Sequence, residues 1–111
     1  MSNSYLGIDI VENKRINKKK FVNRFLSEKE YEKFLSFSDR KAALNFAIGR
    51  WAAKEAIIKA TNKLYSISEI EIFNEENGNP IVFLRKEYNK NCKVSISHEK
   101  KYTIAICIMS V

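Results

Sequence analysis

Two carboxylates stand where residue preference argues against them. Asp9 lies in the alternating segment YLGIDIV (5–11), between Ile8 and Ile10, although Asp is depleted in strand interiors. Glu55 lies in a helical stretch. At about 100° per residue, Leu44, Ile48, Trp51, Glu55 and Ile58 share one narrow stripe. Burying an unpaired charge costs several kcal/mol, on the order of a small domain's whole stability margin. Glu55 therefore calls for a proton, a cation or a metal. Lys59, four residues on in the favourable order, is the plainest partner, and a surface pair suffices if that helix end is exposed. For Asp9 alone, the plainest reading is an edge position with its side chain in water. Together the two carboxylates offer hard oxygen ligands to Mg²⁺, which takes one or two carboxylates plus phosphate oxygens and water. Arg50 and Lys59 on the same helix suit a phosphate-bearing substrate.

Ser97-His98 closes the strand-like run CKVSIS. His98 could be a general base, a phosphate donor or simply a strand-end residue. The only glycines are Gly7, Gly49 and Gly78, so there is no phosphate-cradling glycine loop. A Gly-x-Ser-x-Gly elbow is also missing, which argues against an α/β-hydrolase. Gly49 is itself notable, because mid-helix it costs about 1 kcal/mol relative to Ala. Close approach of another element or a ligand would explain it.

The elements that must position these residues are legible from periodicity. Period-two alternation predicts a strand over 5–11, with Leu6, Ile8 and Ile10 on one face and Tyr5, Gly7, Asp9 and Val11 on the other. A basic helical stretch carrying Phe21, Val22, Phe25 and Leu26 follows. Ser27 and Glu30 form a capping box opening a short helix with Tyr31, Phe34 and Leu35. Ser38 and Asp39 begin a long helix reaching about Thr61. Its second stripe, Ala42, Phe46, Ala53, Ile57 and Ala60, predicts packing on two sides. Strands are expected at 69–73, 80–84, 92–97 and 102–109, with Asn77-Gly78 turning a hairpin. The last run, YTIAICIM, is apolar on both faces and predicts a strand inside a covered sheet. The fold class is α+β: one N-terminal strand, helices including one long central helix, then a mainly antiparallel sheet.

The chain has 111 residues, 45% of them apolar and 30% charged, enough for one domain with a core over 1–111. Its formal net charge of +7 favours an anionic partner without choosing one. No run is long enough to span a bilayer, and the N-terminus lacks a signal-peptide layout. Cys92 and Cys107 read as buried free thiols of a reducing cytoplasm. A single histidine excludes a Cys/His zinc framework.

In this order and length, these segments resemble the holo-[acyl-carrier-protein] synthases, the small 4′-phosphopantetheinyl transferases. The similarity is carried by GIDIVE (7–12), by GRWAAKEAIIKA (49–60), by the hairpin IEIFNEENGNPIVF, and by VSISHEKKYTIAICI. It implies transfer of the phosphopantetheine arm of coenzyme A to a serine of an apo acyl carrier protein, releasing adenosine 3′,5′-bisphosphate. Asp9 and Glu55 are then expected to hold Mg²⁺, and Glu55 to help deprotonate the serine through a water. Lys59 is expected to neutralise phosphate charge. Arg50, Asn62, Ser97 and His98 are expected to bind substrate, and Arg15, Lys20 and Arg24 to dock the carrier. A homotrimer with interfacial sites, the second helical stripe partly at the interface, is also implied. The chain departs from the family after Ala60, where TNKLYSIS replaces a longer glycine-rich stretch. The alternative from another class is a small basic nucleic-acid-binding protein, which leaves both carboxylates unexplained because carboxylates oppose phosphate without a metal.

Overall fold

This computed structural model describes residues 3–16 and 19–110, the side chains of residues 19 and 20 excepted. Strand β1 (Ser4–Glu12) leads through a 3-10 turn (Asn13–Arg15) to the helical turn α1 (Lys19–Val22), then helices α2 (Glu28–Ser36) and α3 (Arg40–Ala60). Strands β2 (Ile70–Asn74), β3 (Pro80–Leu84), β4 (Glu87–Tyr88), β5 (Cys92–His98) and β6 (Tyr102–Ser110) follow. They form two antiparallel sheets, ordered β1-β6-β5 and β2-β3-β4. The predicted α+β layout holds. The basic helical stretch is much shorter than expected, and the two-residue β4 carried no sequence signal.

Local chemistry explains the helix ends. Ser27 accepts from the Glu30 backbone while the Glu30 carboxylate accepts from the Ser27 backbone, completing the capping box. The Asp39 carboxylate caps α3 by accepting from Ala42 N at 3.0 Å. At the other end, Asn62 N donates to Lys59 O and Lys63 N donates to Ile58 O, a Schellman ending. Asn62 and Lys63 take left-handed backbone (φ 51 and 64) without glycine. Asn tolerates this conformation and Lys does so at some cost.

Helix α3 packs across the β1-β6-β5 sheet, and its deepest side is small. Ala47, Ala52, Ala53, Ala56 and Ile57 are fully buried. Register places Gly7 opposite Cys107, Asp9 opposite Ala105 and Val11 opposite Thr103, so the face bearing Asp9 is the one against the helix. The two strands and the helix meet closely at Gly7. A Cβ there would lie 1.9 Å from Ala56 O and 2.7 Å from Ala60 N, both backbone atoms that cannot yield. Gly7→Ala is therefore expected to push β1 off α3 and cost about 3 kcal/mol, read by urea denaturation.

Two expectations on packing are corrected. Ile104, Ile106 and Ile108 of β6 are 38–43% exposed, so this strand is central in its sheet yet covered on one face only. Ala53, Ile57 and Ala60 of the second stripe are buried within the chain itself, which narrows any interface role of that stripe to the half-buried Ala42 and Phe46. The surface that remains apolar is the outer sheet face. The cysteines match expectation: both are free and buried, with sulfurs 3.7 Å apart.

Candidate active site

The close approach at Gly7 determines what faces what. Two residues further along β1, Asp9 reaches the α3 turn bearing Glu55 and Lys59, its side chain only 15% exposed. Lys59 Nζ donates to Ile8 O at 2.9 Å and lies 3.3 Å from Asp9 Oδ1. The i,i+4 partner expected for Glu55 is thus engaged with β1. Burial raises the Glu55 pKa from its ordinary value, the Asp9 carboxylate raises it further, and Lys59 partly offsets both. Two carboxylates and one ammonium converge, with an excess of negative charge at Glu55.

A second group forms one and a half turns earlier on the helix. Arg50 is 5% exposed, donates to Asn74 Oδ1 on β2 and stacks over the Phe46 ring at 4.5 Å. Its Nε is buried without a partner among the described residues. Burial lowers the Arg50 pKa, opposed by Glu30. His98 lies on the inner face of β5, and a Cβ on Gly49 would come within 3.2 Å of its imidazole. That contact accounts for a glycine in mid-helix. Burial, then the charge of Arg50, lowers the His98 pKa.

Beneath both groups runs a buried ion pair that the sequence reading missed. Lys54, completely buried, donates to Glu30 Oε1 at 2.6 Å and to Phe25 O at 2.7 Å. Glu30 also accepts from Ile72 N at 2.8 Å. One carboxylate so ties α2, α3 and β2 together. The signal was the capping-box Glu combined with a lysine that an amphipathic helix would place inside.

The remaining candidates are scattered. Asn62 is exposed at the Schellman turn, beside an apolar groove lined by Tyr5, Ala60, Leu64 and Met109. Ser97 pairs with Ile104 on the outer sheet face, opposite to His98, and joins neither group within the chain. Arg15 and Arg24 are exposed, whereas the Lys20 side chain lies outside the described residues. Among the described residues no cluster of three or more His, Cys, Asp or Glu could hold a metal. No helix there is long and apolar enough to cross a membrane.

A family model described as the 4′-phosphopantetheinyl transferase superfamily matches residues 5–107. The chain belongs to this superfamily. It is 43% identical to a holo-[acyl-carrier-protein] synthase of Mycoplasma mycoides subsp. mycoides, over 93% of this chain and 91% of that one. A Geobacillus protein of the same name is 41% identical over 94% and 93%. Among solved structures, a Bacillus anthracis holo-(acyl-carrier-protein) synthase in complex with CoA (3′,5′-ADP) superposes with TM-score 0.81 at 34% identity, covering 96% and 95%. A Helicobacter pylori enzyme in complex with coenzyme A gives 0.75 at 27%, covering 96% and 99%. The phosphopantetheinyl transferase fold and family expected from the sequence are thus established, and they displace the nucleic-acid-binding alternative.

Proposed function

We propose that this phosphopantetheinyl transferase moves the phosphopantetheine arm of coenzyme A onto a serine of an apo acyl carrier protein, using Asp9, Glu55 and Lys59. The observation that carries the assignment is the convergence of Asp9 and Glu55 across β1 and α3. The donor set fits Mg²⁺: two hard carboxylates whose mutual repulsion a cation relieves, with no competing soft ligand beside them. When bound, the ion supplies neutralisation of the coenzyme A pyrophosphate.

The serine oxygen attacks the phosphorus on the pantetheine side, and the bond from that phosphorus to the bridging oxygen breaks. Adenosine 3′,5′-bisphosphate leaves with the bridging electron pair. Glu55, with its raised proton affinity, takes the serine proton through a water. Lys59, fixed by Ile8 O and Asp9, faces the charge that develops on the leaving phosphate. Arg50 and His98 hold the nucleotide end. Arg15, Lys20 and Arg24 steer the acidic carrier, and the cytoplasm is the compartment that fits these substrates.

The outer sheet face supports a homotrimer. Leu6, Ile8 and Ile10 on β1 pair with Ile108, Ile106 and Ile104 on β6, all 38–66% exposed. A contiguous apolar patch of this kind marks an interface. Covering it with further copies would also bring Ser97 toward a neighbour. Ile106→Lys is expected to yield monomers by light scattering.

The activity is tested by incubating the protein with coenzyme A, Mg²⁺ and an apo carrier protein and weighing the carrier by mass spectrometry. The phosphopantetheine adduct should appear, vanish with EDTA and return with excess Mg²⁺. An adduct indifferent to chelator would overturn the metal assignment, and no adduct under any condition would overturn the function.

A further inference from the structure

His98 has a supporting chain behind it. Its Nδ1 lies 3.1 Å from Thr103 Oγ1, the residue directly across from it on β6. Thr103 is completely buried, and its hydroxyl donates to Asn13 Oδ1 at 2.8 Å. The orientation of that amide is fixed independently. Asn13 Nδ2 donates to Glu99 O at 2.8 Å and Lys100 O at 3.1 Å, two backbone acceptors that only an NH₂ group can serve. Asn13 N also donates to Lys101 O at 2.8 Å, pinning the residue to the turn between β5 and β6.

The direction of the chain follows from counting hydrogens. With its NH₂ group committed to two carbonyls, Asn13 presents Oδ1 to Thr103. Thr103 has one hydroxyl proton and gives it to that oxygen, so toward His98 it can only accept. The proton between His98 and Thr103 must then belong to Nδ1. At the opposite edge of the ring, Nε2 lies over Gly49, beside Arg50, and no hydrogen bond from the described residues engages it.

We propose that Asn13 and Thr103 are positioning residues that hold His98 as its Nδ1–H tautomer and leave Nε2 as its one nitrogen able to accept from a ligand. An unconstrained histidine side chain favours the other tautomer, with the proton on Nε2. The chain therefore reverses the default chemistry of the edge turned toward α3. The inference rests on the placement of His98 at the coenzyme A site proposed above, and it names the residues that set what this side chain can recognise. A hydrogen-bond donor of the substrate, such as a ribose hydroxyl or an adenine amine, meets a lone pair at Nε2, whereas the default tautomer would meet it with a second donor.

As the chain's only histidine, His98 can be read without ambiguity. Long-range ¹H–¹⁵N correlation on the ¹⁵N-labelled full chain, at a pH where the ring is neutral, should show a pyrrole-like Nδ1 and a pyridine-like Nε2. Thr103→Val preserves shape and removes the hydroxyl; it should shift the ring toward Nε2–H and raise KM for coenzyme A about 3–10-fold with kcat unchanged. Thr103→Ser should restore both. A pyridine-like Nδ1 in the wild-type protein overturns the proposal, as does a Thr103→Val variant with the wild-type tautomer. A switched tautomer with unaltered KM overturns the positioning role. Absence of transfer by the wild-type protein would instead strike at the proposed function, while the tautomer measurement on the free chain would stand.

Discussion

Glu55→Gln is expected to lower the rate of carrier modification by about 10²–10³-fold, the scale seen when one preorganised charge-stabilising group is lost. Mass spectrometry of the carrier over time provides the measurement, and Asp9→Asn should behave alike. Stability should move the other way. The Glu55 carboxyl holds its proton more tightly in the folded chain than in the unfolded one, through burial and the nearby Asp9. Such a group disfavours folding once it must ionise. The penalty is absent below the unfolded pKa, where both states hold the proton, and fully developed above the folded pKa. At neutral pH without divalent cations, Glu55→Gln should therefore melt higher than the wild-type chain while being nearly inactive. Adding Mg²⁺ should raise the melting temperature of the wild-type protein and leave the variant's in place. A variant that keeps its activity, or that melts lower without metal, would contradict the reading of these carboxylates.

The second large effect lies in the buried pair. Glu30→Ala is expected to destabilise the fold by about 3–5 kcal/mol, because it strands the Lys54 ammonium in the interior. Chemical denaturation followed by circular dichroism measures it. The double variant Glu30→Leu/Lys54→Met removes both charges together, so its loss should be smaller than the sum of the two single losses. It should remain below wild type, since Ile72 N and Phe25 O lose the partners they now have. Additive losses would mean that the two side chains do not act as a pair.

Much of this architecture was written locally. Ser27 and Glu30, Asp39 with the alanine-rich stretch after it, and the alternation of residues 5–11 each announce an element through backbone chemistry or periodicity. Asp9 and Glu55 were visible because each violates the preference of its own element. Tertiary contacts were not legible in the same way. Lys59 looked like the partner of Glu55, yet β1 runs close enough for its carbonyl and Asp9 to claim the ammonium. Glu30 was read as a cap, which it is, but its second oxygen reaches β2. The β6 isoleucines were expected under cover because periodicity reports hydrophobicity and cannot say whether the cover belongs to the same chain. Thr103 and Asn13 gave no signal at all: a buried threonine in a strand is ordinary until its register partner is known.

The pairing of β1 with β6 has a consequence for how the chain comes to be competent. Asp9 is synthesised early, but its neighbour across the sheet is Ala105, and among the described residues β6 is the only strand hydrogen-bonded to β1. A nascent chain that has emerged only through the β2–β3 hairpin carries all of α3 and both carboxylates; β1 can then meet α3 through Gly7 and the Lys59 ammonium, but it has no strand partner. The segment 102–110 supplies the hydrogen-bonded ladder that sets β1 in its final register, so the alignment of Asp9 with α3 depends on residues nearly a hundred positions away.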